Sequence, residues 1–312
     1  MIVDEKERRL GYWYAFGAFT LWGFLPAYWK ALGAVNPGEI LVHRIIWSCV
    51  FVFGILYYYK RWEQLKGVLQ NGKKLFFVFV GAMLISINWF TFIWAVNNNY
   101  LIQTSLGYYI NPLFSVLVAI VFLRERLNFW QSIALVLATV GVLIITLHYG
   151  KVPWIALSLA FSFTFYGLIK KMVNVDSIVS LALETLMLTP FALAYLYMVH
   201  SQGGGALGGA DWGINLLLVL SGIATALPLL WFALGAQRIP MSTLGFIQYL
   251  GPSISLVLGV LVYKESFTTI HFFSFSLIWV ALILYTLSNS SFLVNAQPKM
   301  FKASSANEGL SR

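Results

Sequence analysis

Ten long apolar segments constrain the fold of this chain more than any other feature. They are residues 10–32, 37–59, 75–96, 101–123, 128–148, 152–169, 177–199, 212–236, 240–263 and 268–289. A stretch of about 20 apolar residues crosses a bilayer as a helix, because a helix satisfies every backbone polar group without water. We therefore predict an all-α polytopic membrane protein with ten transmembrane helices.

The composition and the connecting segments support this class. The chain is 60% hydrophobic and 10% charged, whereas a soluble domain carries about 25% charged residues. The longest connections, 60–74 and 200–211, leave no room for a soluble catalytic domain, so the sequence does not predict an enzyme. Residues 1–9 are expected to form a retained cytoplasmic segment, and the polar, basic residues 295–312 a disordered cytoplasmic tail.

An internal repeat divides the chain into two halves. The motif around Pro112 recurs 140 positions later around Pro252. The matched positions are Tyr109 and Tyr249, Pro112 and Pro252, Ser115 and Ser255, and Glu125 and Glu265. We predict five-helix repeats at 10–148 and 152–289, and an odd number of crossings makes the second repeat inverted. Inverted repeats are typical of secondary transporters, in which alternating access exchanges two similar half-conformations.

The distribution of basic residues predicts the orientation. With the N-terminus inside, sixteen of the 20 Lys and Arg residues fall on inner segments, three on outer segments, and Arg44 inside a span. This bias follows the positive-inside rule and puts both termini in the cytoplasm, with the protein in the plasma membrane. The same rule accounts for the net charge of +9, so nucleic-acid binding is not implied. The single cysteine, Cys49, excludes an intramolecular disulfide framework.

Two stretches near the N-terminus carry a family resemblance. With the ten spans and the repeated motif, the sequences TLWGFLPAYWK (20–30) and EILVHRIIWS (39–48) resemble the RarD-type branch of the EamA family, in the drug/metabolite transporter superfamily. The resemblance covers about residues 10–290. It implies an inner-membrane permease built from two five-helix repeats, but it does not specify a substrate.

Two charged residues are predicted to lie deep in the membrane. Asn36 is expected to cap the second span, with Glu39 completing a capping box, and Asp176 or Ser177 to cap the seventh. Arg44 follows Asn36 by eight residues, and Glu184 follows Asp176 by the same interval, so each lies about 12 Å into its helix.

Buried charges usually mark function, which makes Arg44 and Glu184 candidates for substrate binding or proton coupling. The alternative is a structural tie, in which Arg44 pairs with Glu39, a carbonyl or Glu184. His43 is a packing histidine or a second proton carrier.

Two prolines at mid-span are predicted hinges. Pro112 and Pro252 each remove a helical hydrogen bond and free the carbonyl four residues earlier, at Tyr108 and Gln248. A packing kink is the alternative. Around these prolines, the predicted lining residues of the pathway are Tyr109, Asn111 and Tyr249.

Aromatic and polar residues at mid-span complete the predicted pathway. Trp22 and its counterpart Tyr166 each precede a glycine, and Asn88 and Trp94 lie on the third span. An aromatic face beside a glycine suits a partly apolar cargo, and core packing is the alternative.

The sequence lacks the signatures of other function classes. The glycine-rich segment 203–209 has no phosphate-loop lysine, and no histidines have metal-ligand spacing, so neither ATP, a metal nor a cofactor is predicted. The favoured function is secondary transport of a small amphipathic metabolite or drug, with possible coupling to protons. A channel, a non-transporting membrane protein and a lipid-modifying enzyme remain alternatives.

Overall fold

The computed structural model describes residues 5–98, 100–150, 152–209, 211–264, 268–288 and 290–298, and the regular structure in them is helical. The helices of the first half are α1 (Glu5–Ala31), α2 (Pro37–Tyr58), α3 (Trp62–Leu69), α4 (Gly72–Asn97), α5 (Leu101–Leu123) and α6 (Phe129–Tyr149). Those of the second half are α7 (Trp154–Met172), α8 (Ser177–Ser201), α9 (Trp212–Arg238), α10 (Met241–Gln248), α11 (Leu250–Leu261), α12 (Thr269–Leu287) and α13 (Ser291–Asn295).

The helices confirm an all-α polytopic membrane protein. In the described part of the chain, nine segments are long and apolar enough to cross a bilayer: α2, α4 to α9, α10 with α11, and α12. Helix α1 has 27 residues, but its Trp, Tyr and Gly residues lower its mean hydropathy, so a tenth span at α1 stays a prediction. The short helix α3 within segment 60–74 was not predicted.

The two halves pack against each other in a matched pattern. Helix α1 contacts α9 and α11, and its counterpart α7 contacts α4 and α5. Helix α2 packs against its own counterpart α8, and α6 against α12. Exchanging the halves therefore reproduces the main contacts of the bundle. We call the end at which α2, α5 and α9 begin the outer end, and the end at which α8 and α10 begin the inner end, after the predicted orientation.

The helix starts test the predicted caps. The side chain of Asn36 accepts a hydrogen bond from the Gly38 amide at 2.8 Å, and Asp176 accepts from the amides of Ile178 and Val179, which confirms both caps. The predicted capping box at Glu39 is wrong. Its carboxylate instead accepts from the Ala206 amide at 2.5 Å, and so ties α2 to the glycine-rich connection before α9.

Glu125 joins the halves at the inner end. Its carboxylate accepts hydrogen bonds from the amides of Met241 and Ser242, at 2.7 and 2.9 Å, and from the Ser242 hydroxyl at 2.6 Å. Helix α10 has no side-chain cap of its own. Glu125 therefore caps a helix of the other repeat. Its counterpart Glu265 lies outside the described residues.

Candidate transport pathway

Arg44 lies in an aromatic crevice in the outer half of the bundle. Its Nε donates to the Thr225 hydroxyl at 2.9 Å, and its guanidinium lies 4.5 Å from the ring centroid of Trp29 and 5.4 Å from that of Trp89. Tyr108 lies near Arg44 and is 54% exposed. We define these five residues as the aromatic crevice. Within the described residues no carboxylate is paired with Arg44, so its charge is balanced only by aromatic faces and a hydroxyl.

Glu184 lies in a closed cluster in the inner half. Its carboxylate accepts from Lys170 Nζ at 2.5 Å, Ser180 Oγ at 2.9 Å and Tyr166 Oη at 3.1 Å. Lys170 also donates to Ser180 at 2.8 Å. All four side chains are buried, and we call them the buried ion-pair cluster. The three donors, one of them cationic, satisfy the hydrogen-bonding needs of this buried carboxylate.

The two repeat-related charges therefore have different partners. Among the described residues Arg44 is paired with neither Glu184 nor Glu39, two of the partners that a structural tie would give it. Hydropathy does not find Lys170, because the predicted sixth span, 152–169, ends one residue before it. Helix α7 continues to Met172 and Lys170 is 3% exposed. The four-residue spacing of Tyr166 to Lys170, and of Ser180 to Glu184, is the signal that could have found this cluster.

A buried polar network connects the mid-span residues of α5, α7 and α10. Thr164 donates to Asn111 Oδ1 at 2.9 Å and lies 3.4 Å from the hydroxyl of Ser115, which donates to Gln248 at 3.2 Å. The structure thus brings the predicted lining residues Asn111 and Gln248 together with Ser115 and Thr164. These hydrogen bonds join α5 to α7 and to α10.

The equivalent positions of the other repeat form no such network. Asn111 is replaced by Gly251, and the hydroxyl of Thr20, the counterpart of Thr164, has no hydrogen-bond partner among the described residues. Ser255 donates to the Gly23 carbonyl at 3.1 Å. The counterpart of Gln248 is Tyr108, which belongs to the aromatic crevice. The hydrogen bonds among Asn111, Ser115, Thr164 and Gln248 therefore have no equivalent among the described residues at the repeat-related positions.

The two predicted hinges differ in structure. Helix α5 runs through Pro112 without interruption. The second copy is divided into α10 and α11 at Tyr249, three residues before Pro252. Tyr249 is buried, and its hydroxyl has no hydrogen-bond partner in the described part of the chain. The same sequence motif therefore produces a continuous helix in one repeat and, in the other, a helix interrupted only at Tyr249, whose φ and ψ stay in the right-handed helical region.

The break beside Gly251 leads to a testable expectation. A Cβ atom at Gly251 would meet only the Phe19 carbonyl oxygen, at an ordinary 3.5 Å, so Gly251→Ala should fold and gain about 0.4–1 kcal/mol of stability. If the break is a hinge, transport turnover should fall severalfold, because alanine restricts the backbone there. Gly54→Ala in α2 is the matched control, since nothing lies within 4 Å of its Cβ. Equal turnover of both variants in proteoliposomes would count against a hinge.

The remaining predicted residues lie in several environments. Trp22 and Tyr166 both pack against Phe232, at ring-centroid distances of 5.8 and 6.2 Å. Asn88 donates to the Leu159 carbonyl and the Ser162 hydroxyl. The other placements are Trp94 stacked on Tyr100, Tyr109 edge-on to Phe275, and His43 buried with its Nε2 3.8 Å from Glu39.

Comparison with known proteins decides the family. The sequence profile of the EamA-like transporter family matches each half of the chain separately, over residues 9–147 and 151–287. The chain belongs to the EamA-like transporter family. This EamA-like transporter is also 47% identical to the "Uncharacterized transporter YojE" of Bacillus subtilis (strain 168), with 92% of this chain and 96% of the relative covered. It is 41% identical to "Protein RarD" of Escherichia coli (strain K12), with 91% and 96% covered.

A solved structure supports the fold of this EamA-like transporter independently. A crystal structure with 18% sequence identity superposes with a TM-score of 0.69 and covers 91% of this chain and 99% of its own. At that identity the likeness concerns the fold alone. The relatives assign the chain to the RarD-type permeases, so it is a multi-pass membrane transporter for a small molecule.

Proposed function

We propose that this permease works by alternating access between the two repeats and that the structure represents its outward-open state. The observation that supports this is the unequal exposure of two equivalent residues. Tyr108 is 54% exposed in the outer half, whereas Gln248, its counterpart in the inner half, is 4% exposed. Each lies eight residues, about 12 Å, into its span from opposite membrane faces. Exchanging the two half-conformations would bury Tyr108 and expose Gln248.

The chemistry of the crevice indicates the kind of cargo. Arg44 is a cation without a carboxylate partner among the described residues, and it is flanked by the faces of Trp29 and Trp89. An anionic group on the cargo would supply the missing charge through paired hydrogen bonds to the guanidinium. The indole faces would pack against an apolar or aromatic body. The cargo is thus a small amphipathic metabolite or drug with an anionic group.

In this proposal Glu184 helps to hold α7 and α8 together at the inner end. The bonds from Tyr166 and Lys170 to Glu184, and the bond from Lys170 to Ser180, join α7 to α8 at the inner end, so they oppose separation of these helices. A proton delivered to Glu184 would weaken its bond to Lys170 and favour inner opening. His43 is the second candidate for coupling, because its buried Nε2 lies beside Glu39 without a hydrogen bond in the described part of the chain.

Thiol labelling tests the alternating-access proposal. Cys49 is the single cysteine, so Cys49→Ala gives a background for Tyr108→Cys and, separately, Gln248→Cys. A membrane-impermeant maleimide should label position 108 from the outside, while position 248 stays protected. A transported substrate should lower labelling at 108 and raise labelling at 248 from the inside. Simultaneous labelling of 108 from outside and 248 from inside, insensitive to substrate, would indicate a channel and refute the proposal.

A further inference from the structure

A second concave site lies at the inner end, away from the pathway. A cavity of about 540 Å³ opens between the start of α1, the α5–α6 connection, the start of α10 and the end of α12. Its lining includes Arg8, Arg124 and Arg126, with Tyr12, Gln131 and Tyr285. None of its lining residues belongs to the aromatic crevice or the buried ion-pair cluster. Its role is therefore separate from the proposed route of the cargo.

The cavity has an excess of positive charge. Three arginines line it, and among the described residues Glu125 contributes the one carboxylate of its lining. That carboxylate is already engaged as the cap of α10 by the amides of Met241 and Ser242. Hydroxyl and amide groups of Tyr12, Gln131 and Tyr285 complete a lining that is rich in hydrogen-bond donors.

The backbone at Arg124 is in a strained conformation. Arg124 is the C-cap of α5 and has a φ of 54°, in the left-handed region. Glycine is the residue that usually ends a helix in this way, because a Cβ atom is strained there. Lys264, at the equivalent position of the second repeat, also has a φ of 54°. Lys60, just after α2, is the third non-glycine residue with this φ in the described part of the chain, so the strain at Arg124 is not peculiar to the cavity.

We infer that the basic cavity binds a phosphate-bearing anion through Arg8 and Arg124. Guanidinium groups bind phosphate oxygens through paired, charge-assisted hydrogen bonds. Basic pockets between transmembrane helices on the cytoplasmic side suit the headgroups of anionic lipids. The same chemistry would hold a soluble phosphate, so the two sources are separated by experiment.

The variant Arg124→Gly separates binding from folding. Because glycine relieves the left-handed strain, this variant should raise the thermal unfolding midpoint of the purified protein in neutral detergent. It should also weaken anion binding by about tenfold or more, since one charged hydrogen-bonding partner is lost. Lys264→Gly is the matched control: it relieves the same strain and removes one cation, but it should leave binding unchanged. Arg8→Gln should weaken binding without relieving backbone strain.

The probes are phosphatidylglycerol and inorganic phosphate, each measured as a shift of the unfolding midpoint at matched ionic strength. A shift with phosphatidylglycerol but not with phosphatidylcholine or inorganic phosphate assigns the site to a lipid headgroup. A shift with inorganic phosphate assigns it to a soluble anion. The inference is wrong if neither probe acts beyond sodium chloride, or if Arg124→Gly and Arg8→Gln respond as strongly as the unmodified protein.

Discussion

Replacing Lys170 with methionine is expected to lower the free energy of unfolding by about 3–5 kcal/mol, because Glu184 would keep a buried charge without its cation. The bond between Lys170 Nζ and Glu184 Oε1 is 2.5 Å long and both side chains are buried. Tyr166 and Ser180 would still donate to the carboxylate, but two neutral hydrogen bonds do not replace an ammonium group. Chemical unfolding in mixed micelles measures the effect.

The double variant Lys170→Met with Glu184→Leu is the control for this expectation. Removing both charges should recover most of the lost stability, since a buried ion pair replaced by apolar side chains is often close to neutral. Lower pH should also rescue the single variant, because protonation of the unpaired Glu184 favours the folded state. A loss below about 1 kcal/mol in the single variant, typical of solvated pairs, would show that water reaches the cluster.

Replacing Arg44 with glutamine is expected to weaken binding of an anionic cargo by about 10- to 100-fold, the loss of a charged hydrogen bond. Arg44→Lys should be intermediate, because it keeps the charge but loses the planar contact with Trp29 and the fixed bond from Nε to Thr225. Thr225→Val is the control for that single bond and should have a smaller effect. Uptake into proteoliposomes and binding to purified protein both report the change.

A neutral analogue of the cargo makes this expectation specific. Arg44→Gln should reduce transport of the anionic compound far more than transport of an uncharged analogue of equal size. An equal loss for both compounds would indicate that Arg44 holds α2 and α9 together instead of binding cargo. Unchanged transport of both would exclude Arg44 from the pathway.

Much of the fold could be predicted, because lipid imposes length and hydrophobicity on each span. The fourth predicted span, 101–123, has the same bounds as α5, and several other spans differ from their helices by one to three residues. The prediction failed where a charge is buried near a helix end. Lys170 looks like a loop residue in a hydropathy pattern, since hydropathy alone does not reveal that Glu184 lies opposite it.

The candidate site could be predicted only as a set of positions. The repeat pointed to Arg44 and Glu184, and also to Tyr108 and Gln248 as equivalent carbonyl positions beside the prolines. The repeat could not predict that Tyr108 is exposed and Gln248 is buried. Repeat-related positions have the same depth in the membrane, measured from opposite faces. Their exposure depends on which helices approach them.

The sequence by itself determined the membrane class, most of the spans and the duplication, because each of these depends on residues close together in the chain or on a constant offset. Only the tertiary structure decided that Arg44 meets tryptophans and Thr225 while Glu184 meets Lys170, and that Glu125 caps α10. These partners come from other helices, and helix packing, which hydropathy does not encode, sets the distances between them.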